Sequence, residues 1–450
     1  MSSGPIAVLV CTGRPALSST INRRAATLGS QAKSPVGNAL YRAGSLVVEK
    51  VSRIILVIGA APALGESAFG GYQFSLTLTG LFATCAELGL SLWTTRALAR
   101  GGAADRDRAS VIVGTGLRLR AITAAPFFLA VGLACYFSAP GEARQAMALL
   151  GAAALANAFV DYFGAVFRGY ERLNDEAALN VIRAVLVTGA GLGALTLGRS
   201  LTALAAGLLA GTLASAACGL WFLGAHYRLL RWPQGRAFDR ALARAAVAEA
   251  SPIWLGTLLG LVYFKVDVVI VRALAGNAVL GGYSAAYKVF EAVLAFPAVV
   301  MAAAFPPLVR AHADPRRQKR GELGVGALLF GLGALTGSVL YLGADRIVAL
   351  MFGPGFDRAV PSLQILAAAV PFTFLNAGLI PFLIARGLEW RTLAVSAPLV
   401  AINVGLNFAL VPRLGGPGAA LATVAGEVVR AIACLAALRL GQVARAPSER

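Results

Sequence analysis

The chain is poor in charged residues, histidine and paired cysteine, and the shortage of charge decides its class. Only 14% of its 450 residues are charged, whereas 58% are hydrophobic and the mean hydropathy is +0.73. A soluble protein of this composition would expose a large apolar surface to water. The composition therefore indicates an integral membrane protein.

The residues that supply most catalytic and metal chemistry are scarce. The two histidines, His226 and His312, lie in basic loops, which argues against a histidine-based metal centre or catalytic relay. The five cysteines have no paired spacing, so neither a disulfide framework nor a zinc site is predicted. No Gly-Lys-Ser/Thr follows any glycine-rich stretch, so no ATP site is predicted. We expect no bound cofactor, no metal, no catalytic residues and no enzymatic activity.

The sequence contains an internal repeat. LGESAFGGY at residues 64–72 recurs as AGNAVLGGY at residues 275–283, with all three glycines and the tyrosine in register at an offset of 211. RGYE at residues 168–171 recurs as RGLE at residues 386–389, at an offset of 218. Nearly constant offsets indicate two duplicated halves, an arrangement typical of membrane transporters.

Twelve apolar runs are long enough to cross the roughly 30 Å hydrocarbon layer, which takes about 20 helical residues. Six lie in each half. The predicted spans are 39–61, 70–97, 109–137, 145–167, 176–197, 202–225, 247–274, 279–305, 323–344, 361–384, 392–411 and 417–440. The predicted division is an amino-terminal tail (1–37), a first lobe (38–227), a basic linker (228–245), a second lobe (246–441) and a carboxy-terminal tail (442–450).

The net charge of +19 reflects topology rather than nucleic-acid binding. Lysine and arginine are concentrated in alternate loops, most densely in the central linker and in the loop after the eighth span. By the positive-inside rule these loops and both termini are cytoplasmic. We expect a multi-pass protein of the inner membrane whose contacts include membrane lipids and exclude nucleic acid.

Fourteen charged residues fall within or near the predicted hydrocarbon layer. At about 3 kcal/mol each, exposing all of them to lipid would cost roughly 40 kcal/mol, more than the about 5–15 kcal/mol by which folds are stable. They are therefore predicted to face inward. They are Glu49, Lys50, Arg53, Glu87, Arg118, Arg120, Asp161, Arg183, Lys265, Asp267, Lys288, Glu291, Glu427 and Arg430.

Helical spacing and depth suggest partners for these charges. Three pairs lie three or four residues apart on one helix face: Lys288 with Glu291, Glu427 with Arg430, and Glu49 with Arg53. Their depth in the layer suggests Lys50 or Arg53 as the partner of Glu87. It suggests Asp161 as a partner of Arg118 and Arg120. Eight bases exceed six acids, so the charges predict a water-filled cavity of net positive charge that attracts an anionic substrate.

Short motifs distributed after residue 40 resemble one family in their order and spacing. They are Leu64-Gly65 with Gly70-Gly71-Tyr72, Glu87-Leu88-Gly89-Leu90, Lys265-Val266-Asp267, Gly281-Gly282-Tyr283, Phe305-Pro306, Phe352-Gly353, Asn403, Asn407, Val411-Pro412 and Gly415-Gly416-Pro417-Gly418-Ala419-Ala420. Together they resemble the polysaccharide (O-antigen, Wzx-type) flippases of the multidrug, oligosaccharidyl-lipid and polysaccharide exporter superfamily. The long amino-terminal tail departs from that pattern.

The resemblance implies an all-α membrane protein of twelve helices in two pseudo-symmetric six-helix lobes around a central cavity. It further implies alternating access that moves undecaprenyl-pyrophosphate-linked oligosaccharide outward, with a polysaccharide polymerase and other biosynthesis proteins as candidate partners. The predicted headgroup contacts are Lys50, Arg53, Arg118, Arg120, Lys265 and Lys288. The predicted charge-pairing, proton or sodium sites are Glu87, Asp161, Asp267, Glu291, Glu427 and Arg430.

Four alternatives remain open at this stage. A cation-coupled multidrug exporter of the same superfamily favours an acidic cavity, and a lipid II flippase is expected to have fourteen spans. A polysaccharide polymerase or glycosyltransferase is expected to carry a large outer loop, whereas the outer loops here are short. A nontransporting scaffold predicts a dry seam between the lobes.

Overall fold

The computed structural model describes residues 35–103, 105–137, 141–226, 240–310 and 314–443. Most of the predicted amino-terminal tail, residues 228–239 of the linker, His312 and residues 444–450 of the carboxy-terminal tail lie outside the described residues. Within those ranges the chain is helical, and no strand is present. This confirms the predicted all-α class.

Thirteen α-helices run through the described part of the chain, and the long apolar runs of the sequence account for most of them. Their bounds are α1 (Pro35–Glu87), α2 (Leu90–Ala97), α3 (Arg106–Phe137), α4 (Glu142–Gly169), α5 (Leu173–Gly198), α6 (Leu201–Trp221), α7 (Arg240–Val293), α8 (Ala295–Arg310), α9 (Pro315–Leu342), α10 (Ala344–Phe352), α11 (Ala359–Ala385), α12 (Glu389–Leu414) and α13 (Gly416–Val443). Short π-helical segments follow α2 (Leu98–Gly102) and α6 (Phe222–His226).

Eight helical segments in the described ranges are long and apolar enough to cross a membrane. They are Asp107–Phe137, Glu142–Gly169, Leu173–Gly198, Leu201–Gly224, Phe264–Leu308, Arg316–Leu342, Ala359–Ala385 and Gly416–Leu440. The segments Arg240–Pro252 and Trp254–Val262 qualify only as a bent pair, and Pro398–Leu414 is apolar but shorter. The chain is therefore a multi-pass membrane protein.

Two very long helices, α1 and α7, are each interrupted at a glycine. Their 53 and 54 residues would extend about 80 Å if straight, far beyond a bilayer of roughly 30 Å. Gly65 (φ 75°) and Gly276 (φ 84°) leave the helical conformation and turn the chain. Side chains rarely adopt positive φ, so glycine suits both positions. Their separation of 211 residues equals the repeat offset.

The helices pack in two groups that follow the two halves of the sequence. Helices α1 to α6 contact one another, as do α7 to α13, and the contact between the groups is made chiefly by α1 and α7. Small residues permit close packing within each group. A Cβ at Gly207 or Gly211 would overlap backbone of α5, and one at Gly333 or Gly337 would overlap backbone of α11.

A four-residue glycine spacing does not by itself mark a close contact between helices. Gly256 and Gly260 have the same four-residue spacing as the others, yet nothing lies within 4 Å of a Cβ built at either position. The two glycines lie on a part of the α7 surface that is not packed against another helix of the described ranges. Spacing alone does not specify which face of a helix meets a neighbour.

The crossing of α1 and α7 is reciprocal. A Cβ on Gly70 would overlap the backbone carbonyl oxygen of Asn277, and a Cβ on Gly281 would overlap that of Glu66. Gly70 and Gly281 are equivalent residues of the repeat, as are Glu66 and Asn277. Each half therefore contributes an equivalent contact to the other.

Candidate functional site

The break in α7 brings three charged residues together in the second half. Lys265 lies on the first arm of α7, and Lys288 and Glu291 lie on the second. Glu291 accepts from Lys265 Nζ at 2.6 Å and from Lys288 Nζ at 2.8 Å. The three side chains are 24% to 32% exposed. Two ammonium groups share the Glu291 carboxylate, and the buried Asp267 carboxyl lies within electrostatic range of Lys265.

Four charged residues from three helices form a second cluster, in the first half. Glu49 and Arg53 of α1 are 2.5 Å apart, and Arg183 of α5 lies 2.5 Å from Asp161 of α4 and 3.7 Å from Glu49. This cluster is neutral, with two bases and two acids. The ion-pair partner of Asp161 is Arg183, which depth in the layer did not suggest, and Asp161 also lies within electrostatic range of Arg120.

One residue of the first-half cluster, Arg53, lies near the second-half cluster. The Arg53 guanidinium, whose side chain is 75% exposed, lies within electrostatic range of Lys288. Lys50 is exposed on the same helix, and Arg118 is half-buried on α3. Of the six predicted headgroup contacts, the structure therefore groups Arg53, Lys265 and Lys288.

Arg120 lies elsewhere, in a buried network within the first half. Its guanidinium donates to Ser91 Oγ at 2.6 Å, pairs with Glu87 at 3.3 Å and lies 5.0 Å from the centre of the Tyr162 ring. Depth alone predicted Lys50 or Arg53 as the partner of Glu87, and that prediction is wrong. Helices α1 and α3 bring Glu87 and Arg120 together, whereas Arg53 is held by Glu49.

The remaining predicted site residues are buried in the second half. Asp267, only 4% exposed, accepts hydrogen bonds from the Tyr283 hydroxyl and from the Val268 backbone N–H at 2.8 Å. Glu427 and Arg430 pair at 3.2 Å, and Asn376 donates to Glu427 at 2.9 Å. The predicted Glu427–Arg430 pair is thus confirmed, as are the pairs Lys288–Glu291 and Glu49–Arg53.

Further ion pairs, among them three that involve repeat-equivalent or inter-half positions, were not predicted from the sequence. Arg386 pairs with Glu322 of α9, Arg168 pairs with Glu176 of α5, and Arg358 pairs with Glu66 at 2.6 Å. Arg168 and Arg386 were singled out only as equivalent positions of the repeat. In the structure both arginines lie at the end of a helix and pair with a buried carboxylate from another helix. The recurrence of arginine at equivalent positions was the sequence signal that could have indicated these pairs.

The Glu66–Arg358 pair joins the two halves beside the reciprocal crossing. Glu66 lies in the link between the first two predicted spans, and its side chain is 10% exposed. Burial raises the pKa of the Glu66 carboxyl, an effect that the Arg358 guanidinium opposes and the Asp357 carboxylate reinforces. The surroundings of Glu66 at the crossing therefore stabilise its protonated form more than water does.

This shift predicts a pH dependence of the crossing. An acid whose pKa is raised in one arrangement stabilises that arrangement as the pH falls toward its ordinary pKa, and the benefit is lost as pH rises through the raised value. We expect the crossing to close more fully at low pH. Spin labels at Ser67→Cys and Pro354→Cys, in a background without the native cysteines, report the separation. Glu66→Gln is expected to remove the dependence; a dependence that persists in it contradicts the assignment.

The fold and these clusters together define a class. Breaks at equivalent glycines, a reciprocal crossing between two groups of helices, and charged side chains gathered between them are features of membrane transporters.

Two solved structures share the fold. An inward-facing multidrug resistance MATE family transporter of the MOP superfamily has a TM-score of 0.68 at 17% identity, covering 91% of this chain and 99% of that chain. The lipid II flippase MurJ in its inward closed conformation has a TM-score of 0.66 at 12% identity, covering 90% and 87%.

Sequence comparison identifies the family. The profile of the family described as "Polysaccharide biosynthesis protein" matches residues 36–312, which is more than half of the chain. The chain belongs to this family, and the resemblance predicted from the short motifs is confirmed.

Two relatives from Haloferax volcanii carry flippase names. The probable low-salt glycan biosynthesis flippase Agl15 is 25% identical over 275 residues, covering 59% of this chain and 55% of that protein. The probable flippase AglR is 24% identical over 192 residues, covering 41% of this chain and 40% of that protein. The chain thus spans about half the length of these curated relatives.

Proposed function

We propose that the protein is a flippase that moves lipid-linked oligosaccharide, carried on undecaprenyl pyrophosphate, from the cytoplasmic to the outer leaflet. The observation that carries the proposal is that Lys265 and Lys288 of the second half share one carboxylate, Glu291, while Arg53 of the first half lies within electrostatic range of Lys288. A pyrophosphate and a sugar chain lose hydration at high cost in hydrocarbon. A cationic, water-accessible path between the halves lowers that cost.

Twelve spans in two lobes fit the helix breaks. If α1 is divided at Gly65 and α7 at Gly276, the long helices supply four spans, and α3 to α6 with α9 and α11 to α13 supply eight. The reciprocal contacts at Gly70 and Gly281 suit alternating access, because a symmetric crossing can open on one side while the opposite ends approach. In this arrangement the polyprenyl chain stays in lipid while the headgroup passes between the lobes.

The charge balance favours this function over export of organic cations. A cavity selecting cations needs uncompensated carboxylates, whereas the acids near the two clusters are shared by bases. Lys50 and Arg118 remain proposed headgroup contacts, and Asp161, Asp267 and Glu291 remain proposed sites of pairing or of proton or sodium coupling. The proposed location is the inner membrane with cytoplasmic termini, where a polysaccharide polymerase would receive the product.

A flipping assay tests the proposal. Purified protein in proteoliposomes is given a lipid-linked oligosaccharide labelled in the sugar, and its loss from one leaflet is followed. Lys265→Ala and Arg118→Ala are each expected to slow flipping about 10- to 100-fold, since a charge-assisted hydrogen bond contributes roughly 1.5–3 kcal/mol and 1.4 kcal/mol is a factor of ten.

Lys319→Ala is the matched control, because Lys319 is an exposed lysine near the start of α9, outside both clusters. It is expected to leave the rate unchanged. Normal flipping by both Lys265→Ala and Arg118→Ala, at the wild-type protein level, would refute the proposed substrate path. Turnover of a labelled sugar donor by the purified protein would instead support the enzyme alternative.

A further inference from the structure

A cavity of about 390 Å³ lies between the two halves, apart from the charge clusters described above. Its first-half wall comes from the beginning of α1, the junction of α1 and α2, and the end of α4, and its opposite wall comes from α7. The volume falls within the range of about 300–1,000 Å³ found for small-molecule sites. By the positive-inside rule, Arg42 and Arg168 place the cavity toward the cytoplasmic side.

The wall at the α1–α2 junction is irregular backbone. Leu88 and Gly89 both have positive φ, at 51° and 72°, and Gly89 precedes α2 without a side-chain cap on the helix. The first N–H groups of α2 have no partner within their own helix, and Ser91 and Leu92 line the cavity. Within a membrane, such backbone is tolerated where it borders a cavity or is buried in protein.

The charges of the lining leave one cation uncompensated. Glu87 is paired with Arg120, and Arg168 is paired with Glu176, so each of these pairs is neutral. Arg42 is exposed and makes no ion pair within the described ranges. Its positive charge and the positive end of α2 act together, which favours an anion with several acceptor oxygens.

The α7 wall has a different chemistry. Trp254 and Thr257 line the cavity, and the Trp254 indole N–H donates to the Thr84 carbonyl oxygen at 2.8 Å across the two halves. This hydrogen bond fixes the indole, so the α7 wall presents an ordered aromatic side chain with Thr257 beside it. An aromatic side chain with nearby polar groups is suited to a sugar ring, which has apolar C–H groups and hydroxyls.

We propose that this cavity is a loading site for the first sugar phosphate of the headgroup, with the phosphate near Arg42 and the start of α2 and the sugar against Trp254 and Thr257. The inference rests on the proposed flippase function and extends it with a second site. The substrate would occupy it before reaching Lys265 and Lys288. Because the cavity has walls from both halves, its shape depends on their separation, so movement of the halves would release the headgroup.

Binding of a water-soluble probe tests the site directly. Glucose 1-phosphate is titrated into the purified full-length protein, followed by saturation-transfer NMR, with glucose and inorganic phosphate as separate probes. We expect binding of glucose 1-phosphate that is weakened at least tenfold by Arg42→Ala and abolished by Thr257→Trp, which fills the cavity. Arg108→Ala, which removes an exposed arginine of α3 outside the cavity, is expected to bind normally. Thermal unfolding of each variant verifies its fold.

Two results would overturn the assignment. If glucose 1-phosphate binds Arg42→Ala and Thr257→Trp with unchanged affinity, or does not bind the wild-type protein, this cavity does not bind a sugar phosphate. Equal affinity for inorganic phosphate and glucose 1-phosphate contradicts the sugar contact. Flipping kinetics separate this failure from failure of the proposed function. If Thr257→Trp flips with wild-type kinetics while Lys265→Ala does not flip, the loading site is refuted and the flippase stands.

Discussion

Replacing Arg386 with alanine is expected to lower the free energy of unfolding by about 3–5 kcal/mol, because it leaves the buried Glu322 carboxylate without its partner. Arg386 is 8% exposed, and its Nε donates to Glu322 Oε1 at 2.8 Å while a second donor reaches the other oxygen. The pair ties the end of α11 to α9. Chemical or thermal unfolding of the purified protein measures the loss.

An exposed ion pair serves as the control. Arg100 pairs with Glu249 at 2.8 Å, but the Arg100 side chain is 66% exposed. Arg100→Ala is expected to cost at most about 1 kcal/mol, since solvent screens exposed pairs. The double variant Arg386→Met with Glu322→Leu is expected to recover most of the stability, because apolar replacement of a whole buried pair is often neutral. Equal losses in Arg386→Ala and Arg100→Ala would show that burial does not govern the effect.

The sequence predicted helices and local ion pairs for a simple physical reason. A run of about 20 apolar residues satisfies its backbone only as a helix in a bilayer, so length and composition suffice to locate it. Residues three or four positions apart share a helix face, so Lys288 and Glu291 were predictable without knowing the fold. The breaks at Gly65 and Gly276 lie within the repeated motifs, at the junctions between predicted spans.

Pairs between helices required the structure. Glu87 lies at a depth from which Lys50, Arg53 and Arg120 are all plausible partners, and depth does not fix which way each helix faces. Arg120 is the partner because α3 packs on α1 with that side chain inward. The Lys265–Glu291 contact likewise depends on the turn at Gly276, which folds two arms of one helix against each other. Neither orientation is encoded in spacing along the chain.

Replacing Gly70 with leucine is expected to abolish flipping while leaving each half folded. A side chain at Gly70 meets backbone of Asn277 in the other half, which cannot move aside as a flexible side chain can. Overpacking of this kind typically costs about 1–3 kcal/mol. Here the halves can avoid the overlap by separating, so the closed crossing is destabilised. Gly281→Leu is expected to act identically, because it meets Glu66 backbone in the equivalent contact.

The helix supplies its own control at Gly80, where nothing lies within 4 Å of a built Cβ. Gly80→Leu is expected to flip at the wild-type rate. Spin labels at positions 67 and 354 are expected to move apart in Gly70→Leu and Gly281→Leu and to keep the wild-type distance in Gly80→Leu. Normal flipping by Gly70→Leu would mean that transport does not require this crossing to close. Loss of flipping with an unchanged label distance would assign the defect to local packing instead. The variants Gly70→Leu and Gly281→Leu therefore test directly whether closure between the halves belongs to the transport cycle.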